Sequence, residues 1–226
     1  MIKSYLKTIF RQIQKHKLFS FINILGLALG MAACLVIAQY VNFHYSFDSY
    51  HTNYAKIYRI ENNATQGGQE LDRGFNTPDP MTVALAEESR HVQAIAKFYD
   101  YNYANNSIIY DGKEQKVSFE QDGVYVSSAA TFDVFDFPIA YGDLSKFDDP
   151  QKLIMTRAAS VKYFSDLETA IGSNLTLSGN NGASEYELIA ILEDLPNNSH
   201  IQFEVLLSYP SIDNYTTARK SWASTA

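Results

Sequence analysis

Five histidines are the side chains of this sequence best suited to hold a metal ion or to move protons near neutral pH. They are His16, His44, His51, His91 and His200. No two of them have the spacing that zinc ligands on one element usually show. Cys34 is the only cysteine, which excludes an internal disulfide framework and a multi-cysteine zinc site. The sequence therefore predicts no metal centre.

A group of aspartates is the second candidate for chemistry. Its members are Asp133, Asp136, Asp143, Asp148 and Asp149. They fall around predicted turns and short helices, where carboxylates usually cap backbone N–H groups and stay solvated. Catalysis by paired acids needs a defined pocket that this spacing does not supply. We expect these aspartates to have structural roles.

The motifs of nucleotide binding and serine hydrolysis are missing. The sequence contains no G-x-x-x-x-G-K-[ST], no G-x-G-x-x-G and no G-x-S-x-G. It predicts neither the usual phosphate-binding loops nor a triad-type hydrolase. We therefore expect a protein that is not an enzyme, without catalytic, cofactor-binding or metal-binding residues.

Charge divides the 226 residues into two unequal parts. Positions 1–47 hold five basic residues and no acid; the five are Lys3, Lys7, Arg11, Lys15 and Lys17. From Asp48 onward, 13 basic residues face 25 acidic ones, a net charge of −12. A body this acidic repels phosphate backbones, which argues against nucleic-acid binding.

A membrane segment follows the basic residues. Leu18–Phe47 contains no Asp, Glu, Lys or Arg, and Ile24–Ala38 has no polar side chain except the Cys34 thiol. We predict a transmembrane helix over residues 18–43. By the positive-inside rule, the N-terminus is cytoplasmic and residues 44–226 lie outside. A cleaved signal peptide or a lipoprotein signal ending at Cys34 are the alternatives, but the apolar run continues past Cys34.

Patterns flank this segment on both sides. Residues 1–17 carry an apolar stripe beside recurring basic residues, which predicts an amphipathic helix in the cytoplasmic interface of the lipid bilayer. Aromatic residues spaced three and four apart from Tyr40 to Tyr54 predict that the membrane helix continues to Tyr54. Gly26 and Gly30 form a small-xxx-small pair, which favours packing against other transmembrane helices.

The body after the membrane segment alternates between strand-like and helix-like pieces. Helices are predicted at 78–90, 129–135 and 158–164. Strands are predicted at 57–61, 92–101, 107–110, 115–119, 124–127, 137–140, 152–156, 174–177, 186–192 and 201–207. Asp111-Gly112 is a hairpin signal between two of them. This mixture predicts an α+β extracytoplasmic domain, in one or two lobes.

Several stretches together resemble bacterial ABC-transporter permeases of the MacB-like and FtsX-like type. The first is Lys17-Leu18-Phe19-Ser20-Phe21-Ile22-Asn23-Ile24-Leu25-Gly26-Leu27-Ala28-Leu29-Gly30, with Ser46-Phe47-Asp48-Ser49-Tyr50-His51 and Ile57-Tyr58-Arg59 after it. The others are residues 130–138, Gly142-Asp143-Leu144, residues 158–164 before Ile171-Gly172, and residues 192–203. The resemblance covers nearly the whole chain, and none of its motifs is catalytic.

The resemblance implies a permease subunit of the inner membrane whose periplasmic core domain spans residues 44–226. Family members complete this domain and add further transmembrane helices, so the chain looks like an N-terminal part of one. The implied partners are a cytoplasmic ABC ATPase, other transmembrane helices or a second permease copy in a dimer, and a periplasmic adaptor or effector. ATP hydrolysis by the ATPase would drive export or mechanotransmission in the periplasm.

A function of a different class also fits these features. A long acidic domain outside the membrane on a single helix is equally suited to a membrane-anchored sensor or ligand-binding module. The sequence leaves this alternative open, and it selects neither the substrate nor the oligomeric state.

Overall fold

The computed structural model describes residues 11–12, 14–66, 69–74, 77–101, 107–112, 116–179 and 182–211. The chain divides into two compact units, Met1–Phe47 and Asp48–Ala226. Most of the predicted amphipathic helix at 1–17 lies outside the described residues. The sequence also predicts a turn at Gly179-Asn180-Asn181-Gly182, and its two central positions lie outside the described residues.

The first unit contains one long apolar helix, α1 (Lys17–Tyr45). Its 29 residues correspond to a length of about 43 Å, more than the roughly 30 Å of a bilayer's hydrocarbon core. The most apolar stretch has a mean hydropathy of 2.4, and no residue of the helix is buried. By length and composition, α1 is able to cross a membrane. A signal sequence would pass the same test.

α1 ends at Tyr45, so the prediction of a helix continuing to Tyr54 is wrong. The backbone N–H of Ser46 donates to the carbonyls of Asn42 and Phe43, both at 3.1 Å, and its hydroxyl donates to the Phe43 carbonyl at 2.7 Å. Asp48 then has a φ of +53°, a left-handed conformation that a helix does not contain. Turns and a short 3₁₀ helix at Tyr54–Lys56 follow. The aromatic spacing therefore reflects several local structures rather than one helix.

The second unit is an α+β body, as the sequence predicts. Its helices are α2 (Asp79–Glu88), α3 (Thr131–Val134) and α4 (Arg157–Ser160). Its strands are β1 (Asn62–Gln66), β2 (Gln69–Gly74), β3 (Tyr99–Asp100), β4 (Ser107–Asp111), β5 (Lys116–Glu120), β6 (Val124–Ser127), β7 (Ile139–Gly142), β8 (Lys152–Thr156), β9 (Asn174–Gly179), β10 (Gly182–Leu192) and β11 (Val205–Ser208).

The described strands form a small antiparallel pair, β1 with β2, and one large mixed sheet. The order of the large sheet is β3-β6-β11-β8-β10-β9-β4-β5, with β7 paired to β10. The β10–β8 and β11–β6 pairs are parallel, and the other pairs are antiparallel. Glu187 pairs with both β8 and β9, and Ala190 pairs with both β8 and β7. β9 and β7 therefore occupy successive lengths of the same edge of β10.

Most predicted strands form, but β10 begins four residues before the strand predicted at 186–192, and four others are absent or begin later than predicted. Residues 57–61 are not a strand, and β1 begins only at Asn62. The strand predicted at 92–101 is reduced to Tyr99–Asp100, and that predicted at 137–140 begins at Ile139. The strand predicted at 201–207 begins at Val205. In that last case, the side chain of Gln202, just before the strand, donates to the Pro196 and Ser199 carbonyls of its own loop.

The central strands of the sheet bury side chains on both faces. In β8, Leu153 and Met155 pack in one hydrophobic cluster, and Ile154 packs in the other. β11 alternates in the same way, because successive side chains of a strand point to opposite faces. All three β8 side chains have no exposed surface. The sheet is therefore the centre of the core.

β10 departs from simple alternation because it contains a bulge at Ile189. Its register with β8 passes from Leu188 to Ala190, so Ile189 has no partner there. Ile189 and Ala190 consequently pack in the same hydrophobic cluster, although they are adjacent. The carbonyl of Ile189 accepts the backbone N–H of Asp143 at 3.2 Å, next to the end of β7.

Gly142 lies against this bulge, and two features require glycine there. Its φ is +86°, and a Cβ at this position would lie 2.2 Å from the Ile189 carbonyl oxygen. Gly172 has nearly the same φ, +87°, but a Cβ there would meet no atom within 4 Å. The two glycines therefore separate the effect of backbone strain from that of a steric clash.

We predict that Gly142→Ala destabilises the body more than Gly172→Ala does. Both variants place alanine at a positive φ, which costs about 1–2 kcal/mol. Gly142→Ala adds overpacking against the β10 backbone, typically about 1–3 kcal/mol. Chemical denaturation of the full chain in detergent, followed by far-UV circular dichroism, measures both. Equal losses of stability would show that the Ile189 contact costs nothing.

Candidate functional site

The first residues after α1 in sequence are held by hydrogen bonds to two distant loops of the body. Six residues form what we call the junction network: Asp48, Tyr50, His51, Asp136, Ser199 and His200. They come from three segments, at 48–51, at 135–137 and at 196–201. All three are stretches that carry the resemblance to permeases, and the structure brings them to one place.

Asp48 is bonded at three points to the loop before β11. Its backbone N–H donates to the Asn198 carbonyl at 2.9 Å, and its Oδ1 accepts the His200 backbone N–H at 2.9 Å. Its Oδ2 lies 2.6 Å from His200 Nδ1. Partial burial raises the pKa of Asp48, but the hydrogen bonds from His200 outweigh it and hold the pKa below its usual value. The carboxylate is therefore ionised at neutral pH and accepts both bonds.

Tyr50 provides a second tie to the same loop. Its hydroxyl donates to Ser199 Oγ at 3.0 Å, and the Ser199 hydroxyl donates in turn to the Ile201 carbonyl at 3.0 Å. Burial raises the pKa of Tyr50 more than the hydrogen bond to Ser199 lowers it. The phenol thus stays protonated and acts as a donor.

His51 ties the segment to the other loop. Only 2% of its surface is exposed, and its Nδ1 accepts the backbone N–H of Asp136 at 3.0 Å. The imidazole packs against the rings of Phe135 and Phe137, with centroids 5.1 and 5.8 Å away. Burial lowers the pKa of His51 more than Asp48 and Asp136 raise it. A neutral ring with its proton on Nε2 satisfies this arrangement.

The loop at 193–204 also binds the helix and strands on its other side. Arg157 makes a bidentate ion pair with Glu193, at 2.8 and 2.7 Å, and its guanidinium lies over the Tyr141 ring. Asp194 Oδ1 accepts the backbone N–H of Ala158 at 2.7 Å. These contacts fix the loop against the start of α4, so the partners of Asp48 and Tyr50 are themselves held.

A group of polar side chains lies at the C-terminal end of the same loop, and its members are Gln121, Lys162, Tyr163 and Glu204. Gln121 donates to the Glu204 carboxylate and accepts the hydroxyl of Tyr163 at 3.1 Å. Lys162 Nζ lies 2.6 Å from the same carboxylate. Burial raises the pKa of Tyr163, whose hydroxyl is therefore a donor at any physiological pH. Each polar side chain here has a partner, which makes this group a structural brace.

The junction network lacks the geometry of a catalytic site. Nucleophilic catalysis needs a hydroxyl hydrogen-bonded to a base, but Ser199 binds a tyrosine and a backbone carbonyl. The Nδ1 of His51 is occupied by a backbone N–H. In the part of the chain that the structure describes, no group of three or more His, Cys, Asp or Glu side chains is arranged to hold a metal ion.

Three of the five aspartates singled out by sequence accept hydrogen bonds from nearby or distant turns. Asp136 Oδ2 accepts the Thr52 backbone N–H at 2.5 Å, and Asp148 Oδ1 accepts that of Ala129 at 2.9 Å. Asp143 accepts from the backbone and hydroxyl of Ser145, and the hydroxyl bond is the main reason that its pKa is lowered. The structure does not bring the five carboxylates into one site.

Sequence reasoning did not identify the junction network as a unit. Tyr50 and Ser199 are 149 residues apart, and no spacing rule connects them. The available signal was the resemblance itself, which singled out 46–51, 130–138 and 192–203 as separate stretches. Their shared location required the fold.

We predict that His51 makes the stability of the body depend on pH. The folded-state pKa of His51 is lowered, so its contribution is fully present above about pH 6.5, the pKa in the unfolded chain, and is lost as the pH falls below that value. Thermal unfolding between pH 7.5 and 5.5 should show a fall in Tm that is smaller in His51→Asn, whose amide oxygen still accepts the Asp136 N–H.

His91→Asn is the matched control, because His91 is exposed and lies outside the network. It should keep the pH slope of the original chain. The prediction is contradicted by a His51→Asn slope equal to that of His91→Asn.

Comparisons with known proteins place this architecture in a family. The model of the MacB-like periplasmic core domain matches residues 20–225. No curated protein matches the chain. Among solved structures, a domain of a candidate permease protein from Porphyromonas gingivalis is similar, with 19% sequence identity and a TM-score of 0.53 over 69% of this chain. The match covers 61% of that structure, less than two thirds of its length, and at this identity it shows a shared fold. The chain belongs to the family of MacB-like periplasmic core domains.

Proposed function

We propose that the chain is part of an ABC-transporter permease and that it transmits work from a separate cytoplasmic ATPase to the periplasm, for export or mechanotransmission. In this proposal, residues 18–43 span the inner membrane with the N-terminus in the cytoplasm. Residues 1–17 lie in the cytoplasmic interface, and residues 44–226 form the periplasmic domain. The chain itself catalyses no reaction.

Family membership and the apolar helix support the membrane part of this proposal. A MacB-like periplasmic core domain is matched over most of the chain, and α1 is long and apolar enough to cross a bilayer. The basic residues all precede α1, which by the positive-inside rule favours a cytoplasmic N-terminus. The exposed apolar surface of α1 favours lipid or other helices around it, from the same permease or from a second copy in a dimer.

The junction network is the observation that carries the transmission part. Residues 48–51 begin three positions after Tyr45, the last residue of α1, and Asp48, Tyr50 and His51 are each bonded to a different distant residue. If the chain moved at Phe47, these hydrogen bonds would therefore move the loops at 135–137 and 196–201 with it. A linker without such bonds would change its own conformation instead. Both loops continue into strands of the large sheet, β7 and β11.

A ligand-binding module finds less support in the described residues. A groove beside α2 is lined by Met81, Ala84, Leu85, Glu88, Ser89, Arg90 and His91. Three of its polar side chains, Glu88, Arg90 and His91, are exposed to solvent. Ligand sites usually combine an enclosing apolar wall with a few fixed polar groups, so this groove does not favour the sensor alternative.

The orientation is tested by labelling single cysteines in a Cys34→Ala background. In intact cells, Lys7→Cys should be shielded from a membrane-impermeant thiol reagent, because it lies in the cytoplasm. Asp111→Cys, at the exposed end of β4, should be accessible after the outer membrane is permeabilised. Labelling at position 7 with protection at position 111 would reverse the orientation and reject the permease proposal.

The transmission is tested in the full-length permease co-purified with its ATPase. We expect Asp48→Ala combined with Tyr50→Phe to leave ATP turnover in place but to shrink the ATP-dependent change in hydrogen exchange at residues 193–204. The physical reason is that the variant removes the side-chain hydrogen bonds between residues 48–50 and this loop, each worth about 1 kcal/mol, and leaves only the backbone bond from Asp48 to Asn198.

Lys152→Ala is the matched control, because it removes an ion pair with Glu187 within the sheet and leaves the junction network intact. It should keep the ATP-dependent change. An unaltered change in the Asp48/Tyr50 variant would show that the junction network does not carry the coupling.

A further inference from the structure

Two tyrosines that follow the junction network are exposed to an unusual degree. Tyr58 has 83% and Tyr54 57% of its surface exposed. No other tyrosine, phenylalanine or tryptophan among the described residues from Asp48 onward is as exposed, and Phe119 follows at 42%. Tyrosine is enriched at interfaces, where its ring is in an apolar environment and its hydroxyl is in water. Two such exposed side chains four positions apart make this segment a candidate contact surface.

The same segment carries a charge opposite to that of the body. Residues 49–60 contain Lys56 and Arg59 and no acidic residue, whereas the chain from Asp48 onward has a net charge of −12. Lys56 and Arg59 are both exposed. Exposed tyrosines interleaved with basic residues match the composition of protein segments at the membrane–water interface, where phenol rings lie among the headgroups and cations meet phosphates.

Local hydrogen bonds hold this segment in a defined conformation. The backbone N–H of Tyr54 donates to the His51 carbonyl at 3.2 Å, that of Lys56 to Asn53 at 2.8 Å, and that of Ile57 to Tyr54 at 3.3 Å. At its start, the Thr52 N–H is bound by Asp136. Tyr54 and Lys56 are therefore presented by a folded part of the body, and Tyr58 and Arg59 follow it directly in sequence.

The short stretch of chain between α1 and this segment favours the lipid bilayer as the surface that the segment contacts. Tyr54 is nine positions after Tyr45, the last residue of α1, so the connecting chain spans about 30 Å at most. Tyr58 is only four positions further. If α1 crosses the membrane, the length of this connection sets an upper limit on the distance between the segment and the leaflet in which α1 ends.

We propose that residues 52–60 form a lipid-contact surface that lies on the periplasmic leaflet of the membrane, with Tyr54 and Tyr58 among the headgroups and Lys56 and Arg59 at anionic lipid phosphates. This inference rests on the proposed membrane insertion of α1. It goes beyond that proposal because it assigns a second membrane contact, made by the body itself.

The surface is tested by fluorescence in vesicles containing phosphatidylglycerol, with the full chain and a Cys34→Ala background. An environment-sensitive dye is attached to Ala55→Cys, an exposed position between the two tyrosines that leaves both in place. We expect lipids with a headgroup nitroxide to quench this dye strongly. A dye on Asp111→Cys should not be quenched by them.

Leu27→Cys, in the middle of α1, separates failure of this inference from failure of membrane insertion. A dye there should be quenched by lipids with a nitroxide deep in the acyl chain. Quenching at position 27 without quenching at position 55 would overturn the lipid-contact surface while leaving the membrane helix intact. Absence of quenching at position 27 would reject the insertion on which both proposals depend.

Variants identify which side chains make the contact. Tyr54→Ser with Tyr58→Ser should remove most of the quenching at position 55, whereas Val161→Ser, at another exposed apolar residue of the body, should not. Lys56→Glu with Arg59→Glu should reduce quenching in phosphatidylglycerol vesicles more than in pure phosphatidylcholine vesicles. A dye that is shielded from aqueous iodide but not quenched by lipid would indicate a protein partner and would overturn the proposal.

Discussion

The imidazole of His51 is almost completely buried, and it accepts a hydrogen bond from the backbone N–H of Asp136. A hydrogen bond of this kind contributes about 0.5–1.5 kcal/mol, and it ties the buried ring to the loop at 135–137. A protonated ring would have no lone pair for this bond. The bond thus requires a neutral histidine beside the stacked rings of Phe135 and Phe137, and it fixes residue 51 against the loop at 135–137. Asp48 and Tyr50 on one side of His51, and Thr52 on the other, are then positioned to bind their own partners.

The large sheet is suited to transmit force from the junction network, because its central strands are packed on both faces. β8, β10 and β11 bury side chains in two clusters, one on each face, and packed interiors deform little. Phe137 and Phe203 lie in one of these clusters with their ring centroids 5.3 Å apart. Phe137 is the last residue of the loop at 135–137, and Phe203 follows the loop at 196–201 in sequence. The two loops that bind residues 48–51 are therefore connected to each other through the core.

Local chemistry explains which elements the sequence could predict. β8 matches its prediction because Lys152–Thr156 is a short apolar run between turn residues, and the β4–β5 hairpin follows from Asp111-Gly112 between alternating segments. α2 begins where Pro78 and Pro80 indicate a first turn. In each case the information lies within about ten residues.

Long-range partners explain what the sequence could not predict. The bulge at Ile189 depends on how β8 and β7 pair with opposite edges of β10, and Gly142 reveals its close contact only once Ile189 is placed against it. The end of α1 was missed because aromatic spacing resembles a helix even when the residues belong to turns. The junction network joins segments up to 152 residues apart, so its parts were visible as motifs but their contact was not.

The end of α1 at Tyr45 changes the physical nature of the proposed coupling. A continuous helix would transmit force through a rigid rod, with its own backbone hydrogen bonds along the axis. Instead, the structure has side-chain and backbone bonds between short segments, each of them worth about 1 kcal/mol. A connection of this kind persists while its hydrogen bonds share the applied force. It breaks when a few of these bonds are removed. In the proposed function, transmission therefore depends on Asp48, Tyr50 and His51. The neighbouring lipid-contact surface proposed at residues 52–60 would keep these residues close to the membrane through which the force is transmitted.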